Sequence, residues 1–325
     1  MFKRILVPLD GSERSEQALP IAARIAHVSG GSVLLLRVVS TLSEYGMYTT
    51  EPMLLLEEML HEDLKRATIY LAQHAASSTL AGINTRIAVF SGLAASQILD
   101  TAQAEQIDLI VMSSHGLLGI KRWMLGSVTE KVAWHSAIPV LIVPESSHKL
   151  ASLSRTVGHP LRALVALDGS AFTEAIVMPA AQLVAACSAP GRGQLHLAHL
   201  VKRPSTEEVM AYERLGLDID LVQAALHEAS DYLQAISEST SRQLATGLAV
   251  DITWSVEQCE DVADTLLKIA GDDLIALTTH GHGGIARWIK GSVARRILSR
   301  AAMPLLITHP YKNTASLTPL TNKAE

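Results

Sequence analysis

Of 325 residues 48% are apolar but only 4% aromatic, so the cores must be built from Ala, Val, Ile and Leu, as suits parallel sheets under Ala-rich helices. Basic and acidic residues number 12 and 14 over 1–150, and 12 and 17 over 161–309. Neither half therefore offers the basic surface that duplex nucleic acid requires. The length fits two domains of ordinary size, and no stretch approaches the roughly 20 apolar residues of a membrane span.

The chain opens on Arg4–Ser12, a short apolar strand running into Asp10-Gly11-Ser12. Unbroken apolar runs of this length read as strands buried on both faces. The Asp-Gly-Ser triplet supplies a turn and a helix N-cap. The apolar run Ile5–Val7 is far too short for a signal peptide, and the expected compartment is the cytoplasm. An Ala-rich helix is predicted over Glu16–Val28, then a strand over Ser32–Val39, a long amphipathic helix over Met53–Ala76 and a third strand over Thr85–Phe90. A helix over Ala94–Glu105 leads to a fourth strand, Asp108–Ser113, then a glycine-spaced loop, a helix from Val128 and a last strand, Ile138–Val143.

Residues 146–160 lack periodicity, are rich in turn formers and read as a linker. The same order then returns. Arg162–Ser170 repeats the opening, followed by a helix over Glu174–Ala186, a strand over Gln194–Val201 and an amphipathic helix over Leu217–Leu244. A strand over Asp251–Val256, a helix over Asp261–Ala270, a strand over Asp273–Thr278, a second loop, a helix from Val293 and a strand over Met303–Thr308 complete it. The stretch 310–325 is a polar tail. Strand alternating with helix predicts two tandem doubly wound α/β domains, 1–145 and 161–309, each an open parallel sheet with helices on both faces. The two domains are expected to face each other through their last strands, burying both sheet edges. A further dimer of tandem chains is compatible with this plan.

The loops repeat best. His115–Val128 returns 165 residues later as His280–Val293, with nine of fourteen positions identical and every paired glycine at the same spacing. Gly116 and Gly119, like Gly281 and Gly284, remove side-chain bulk just past a strand's carboxyl end, where parallel sheets place ligands. Gly126-Ser127-Val128 and Gly291-Ser292-Val293 stand at helix starts, where free N–H groups and the dipole favour an anion. Both are expected to hold phosphate; the plainer alternative is tight turns and helix caps. Neither loop is a Walker A motif, and no Gly-x-Gly-x-x-Gly follows the first strand, so a dinucleotide dehydrogenase is unsupported. No catalytic constellation can be assembled. His280 and His282 lack a third ligand, and Cys187 and Cys259 lack metal-ligand spacing and suit buried packing in a reducing compartment.

The chain resembles a tandem universal stress protein. The residues that carry this are Ile5–Ser12, Val38-Val39, Asp108–Met112, the first loop and Ile138–Val143. Their partners are Leu164–Ser170, Leu200-Val201, Asp273–Leu277, the second loop and Met303–Ile307. The resemblance implies five-stranded parallel domains of the adenine nucleotide alpha hydrolase-like type that bind ATP or AMP, with or without magnesium. It implies Asp10 and Val38 at the adenine and ribose end, and Met112, Gly116, Gly119, Gly126, Ser127 and Val128 along the adenosine and phosphates. The second-half counterparts are Asp168, Leu200, Leu277, Gly281, Gly284, Gly291, Ser292 and Val293. Members that hold ATP often carry Gly directly after the Met112 position; Ser113 and Thr278 stand there instead. Three readings follow: a non-enzymatic adenine-nucleotide binder, a structural stress protein with vestigial loops, and a slow ATPase.

Overall fold

The computed structural model describes residues 1–39, 53–114, 126–144, 160–203, 221–245, 247–271, 273–279 and 292–309. In the first half these form β1 (Arg4–Pro8), α1 (Glu13–Glu16), α2 (Leu19–Ser29), β2 (Ser32–Val39), α3 (Met53–Ala75), β3 (Asn84–Ser91), α4 (Ala94–Ala104), β4 (Leu109–Ser113), α5 (Ser127–His135) and β5 (Val140–Val143). In the second they form β6 (Arg162–Leu167), α6 (Ala171–Glu174), α7 (Val177–Ser188), β7 (Gly193–Lys202), α8 (Leu221–Leu244), β8 (Val250–Cys259), α9 (Val262–Ala270), β9 (Leu274–Thr278), α10 (Ser292–Arg300) and β10 (Leu305–Thr308).

The strands lie in one sheet, ordered β3-β2-β1-β4-β5-β10-β9-β6-β7-β8. Neighbours within each half pair in parallel. The central pair is antiparallel, with Leu305 opposite Ile142, Leu306 opposite Leu141 and Ile307 opposite Val140. The halves thus meet through their last strands, as expected. Because that pair is antiparallel, the carboxyl ends of the two sets of strands lie at opposite edges of the sheet.

The strand residues alternate between two apolar layers. Ile5, Val7, Leu109 and Val111 join α2, α3, α7 and α8 on one face, while Leu6, Ile110, Met112 and Ile142 join α4, α5, α9 and α10 on the other. Period-two alternation with both faces apolar is what a helix-sandwiched sheet requires. Each layer runs through both halves. At the amino end of the strands the Asp108 carboxylate accepts from the backbone N–H groups of Lys3 and Arg4 at 2.7 and 3.0 Å, and Arg162 pairs with Asp273 at 2.9 Å. These aspartates, part of the repeated pattern, therefore hold strand starts together, far from the loops.

Each helix predicted after an Asp-Gly-Ser triplet is two helices: α1 and α2 in one half, α6 and α7 in the other. Pro20 and Pro179 explain the break. Proline cannot donate to the carbonyl four residues back and its ring collides with it, so each sits in the first turn of a fresh helix. The window Ala171–Ser188 reaches a mean hydropathy of 1.4, more apolar than expected, but it spans that break and is mostly buried. Cys187 and Cys259 are buried free thiols; burial pushes the Cys187 thiol up to about 12.

Side chains also cross between the halves. The Arg24 guanidinium on α2 donates to the Cys187 and Ala189 carbonyls at 2.8 and 2.6 Å, satisfying the carboxyl end of α7. On the other face Arg295 of α10 lies over the Trp134 ring of α5, 5.9 Å from its centroid. Charge-assisted bonds of this kind contribute about 1.5–3 kcal/mol each before solvent screening, and Arg24 is only half-buried. Arg24→Ala is expected to cost about 1–3 kcal/mol, read as a lower midpoint in urea unfolding, with Arg24→Lys intermediate; an unchanged midpoint would contradict this role.

Candidate functional site

Chain order reverses at β1, whose neighbours are β2 on one side and β4 on the other. At such a switch point the following connections leave on opposite faces and open a crevice at the carboxyl ends of the strands. Register sets what lies there. Pro8 is level with Leu36 and Leu6 with Ile110, so Asp10, Val38 and Met112 fall at or just past three adjacent strand ends. In the second half Asp168, Leu200 and Leu277 do the same between β7, β6 and β9.

The turn that closes β1 is self-locked. Asp10 Oδ1 accepts from Ser12 N and Oγ at 3.0 and 2.6 Å, and Ser12 Oγ in turn accepts from Ser15 N at 3.2 Å, capping α1. Asp168, Ser170 and Thr173 repeat this, with Thr173 Oγ1 donating also to Asp168 Oδ1 at 2.8 Å. One oxygen of each aspartate is therefore committed to the turn.

Gly11 and Gly169 hold left-handed φ values of 84° and 82°. Beneath Gly11 lies Arg37, whose guanidinium a Cβ would enter; beneath Gly169 lies His199, where the nearest atom would be an ordinary 3.6 Å away. Arg37 stacks on Tyr70, 5.2 Å from its centroid, and Tyr70 donates to Glu16 at 2.9 Å, with His74 3.2 Å from the same carboxylate. Burial, then the Glu16 bond, pushes the Tyr70 hydroxyl well above its ordinary value. His199 meets Tyr232 edge-on at 5.9 Å. Burial lowers the His199 pKa, against the pull of Asp168 and Glu228, so a neutral ring stands where the first half has a permanent cation.

Met112 and Leu277 are buried, 5% and 4% exposed, within the α4/α5/α9/α10 layer, and Val38 and Leu200 pack partly buried on the same layer. Ser113 and Thr278 are also buried, at 8% each. Gly126 is the N-cap of α5 in ordinary extended geometry, with its N–H on Ser114 O at 2.8 Å and no side-chain cap. Ser127 is exposed and Val128 half-buried in the first turn, and buried Thr129 ties that turn to the Ser113 carbonyl at 3.0 Å. Ser292 and Val293 begin α10 equivalently. Gly116, Gly119, Gly281, Gly284, Gly291, the paired His115 and His280, and His282 lie outside the described residues. Among the described residues no three His, Cys, Asp or Glu side chains cluster as a metal site.

The structure thus brings Asp10, Val38, Met112, Gly126, Ser127 and Val128 to one edge, and five of their six counterparts in the second half to the opposite edge. The Arg37–Tyr70 and His199–Tyr232 pairs beside the turns were not identified from the sequence. Tyr70 and Tyr232, each on its long amphipathic helix, were the available signal. Gly11→Ala should destabilise by about 1–3 kcal/mol, through left-handed strain and displacement of Arg37; Gly169→Ala should carry the strain alone. Equal losses in chemical denaturation would contradict the difference.

Known proteins match this architecture. The universal stress protein family model matches residues 1–144 and again 161–309. A universal stress protein of Bacillus subtilis is 33% identical over 147 residues, 44% of this chain and 99% of that protein. One of Mycobacterium tuberculosis is 26% identical over 313 residues, 93% of this chain and 96% of that protein. The crystal structure of a universal stress protein from Archaeoglobus fulgidus superposes with a TM-score of 0.61 at 20% identity, covering 95% of this chain and 98% of that one, which shows a common fold. The chain belongs to the universal stress protein family and carries two of its domains in tandem.

Proposed function

We propose that this protein binds an adenine nucleotide, ATP or AMP, at the switch-point crevice and acts in the stress response as a nucleotide-responsive binding protein rather than an efficient enzyme. The observation that carries this is the convergence of three strand ends with the start of α5, which has no side-chain cap and leaves first-turn N–H groups for an anion. Asp10 suits ribose hydroxyls, the apolar Val38 suits a flat base, and the α5 amides suit phosphate. Among the described residues no side chain beside the crevice is placed as a general base, and any hydrolysis is expected to be slow.

A second reading, vestigial crevices and function through protein contacts, is favoured by Ser113 and Thr278, whose buried side chains fill space at the ends of β4 and β9. Ligand binding separates the two. A ligand that binds only the folded state stabilises it by about 2.7 kcal/mol at a hundredfold excess over Kd. AMP or ATP, with and without magnesium, is expected to raise the melting temperature in a saturable way and to titrate calorimetrically at sub-millimolar affinity. No shift and no heat would leave the protein-contact reading.

A further inference from the structure

The two crevices share their turn but not their walls. In the first half Phe90 on β3 lies in register with Val38 on β2, so both point to the same face, and Leu93 follows at the N-cap of α4. Phe90 is 43% and Leu93 65% exposed, although both are large apolar groups. Neighbouring strands lie about 4.8 Å apart, so Val38 and Phe90 stand roughly 5 and 10 Å from the end of β1, the span of a nucleoside. At the other end of the crevice α1 packs against β4 and carries Arg14. The first crevice therefore runs from an exposed apolar platform to a cation and the start of α5.

In the second half the polarity is reversed. Glu257 on β8 holds the place opposite Leu200 that Phe90 holds opposite Val38, and Asp261, the N-cap of α9, falls where Leu93 caps α4, with exposed Glu260 just before it. At the far end α6 packs against β9 and carries exposed Phe172 where α1 has Arg14. Arg203 lies 3.7 Å from Glu260, and Arg296 bonds Asp261, so two of the three carboxylates there face a cation. The contrast is thus one of apolar surface at the base end rather than of net charge. Neutral His199 in place of Arg37 removes a further cation from that half.

We infer that nucleotide recognition is confined to the first half, where Phe90 and Leu93 extend the Val38 wall into a stacking platform for the base. This rests on the nucleotide reading above and assigns it a specificity residue and a stoichiometry. Stacking of one base on one aromatic ring is sequence-tolerant and changes affinity by about fivefold to a hundredfold on truncation.

Calorimetric titration of the full chain with AMP tests it. One site per chain is expected, weakened on the order of tenfold in Phe90→Ser and unchanged in Glu257→Gln. Phe90 is exposed on an outer strand, so melting curves should show Phe90→Ser folded. Independently, Phe90→Trp should report AMP by a saturable change in emission. Two equivalent sites, full affinity in folded Phe90→Ser, or an unresponsive indole would overturn this inference and leave nucleotide binding standing. No binding by the unmodified chain would overturn both.

Discussion

The antiparallel pairing of β5 with β10 is the constraint on which the molecule is built. Each half ends on a four-residue strand that would otherwise be a sheet edge of unpaired N–H and C=O groups. Joining them makes one ten-stranded sheet and lets each apolar layer continue across the molecule. Arg24 against α7 and Arg295 over Trp134 then tie the flanking helices on the two faces. A consequence of opposed strand directions is that the crevices open at opposite edges. They share a fold but no wall, so one can change its chemistry without disturbing the other.

What the halves share and what they do not follows this division. The Asp-Gly-Ser turn is the same in both because it closes a strand, caps a helix and passes over a packed side chain, all of which the fold needs. The walls beyond it serve no such purpose. There Phe90, Leu93 and Arg14 give way to Glu257, Asp261 and Phe172, and Arg37 gives way to His199. Substitutions that leave the sheet intact yet reverse the polarity of a crevice alter what it can hold, not whether it folds.

Much of this was legible in the chain. Unbroken apolar runs marked inner strands such as β1, β4, β5, β9 and β10, which are almost wholly buried, whereas the outer strands β3 and β8 carry polar residues and are largely exposed; the repeat gave the number of domains. Strand ends differed by one to three residues, as at the starts of β5 and β10 and the end of β8, because pairing partners rather than propensity end a strand. The break between α1 and α2 was written in Pro20 but masked by the helix-forming residues around it. Arg37 on Tyr70, and Phe90 beside Val38, join residues 33 and 52 positions apart, and only register brings them together. Asp108, read as part of a family pattern, turned out to hold the start of β1.

The central claim is that two fused domains of one fold present one working crevice. Hydrogen–deuterium exchange of the full chain with and without AMP tests it directly, because it reads both edges and the central pair at once. The account predicts slower exchange over β2, β3, the start of α4 and the start of α5, with β7, β8, α9, α10 and the β5–β10 pair unaltered. Equal slowing at both edges, or none at the first, would contradict it.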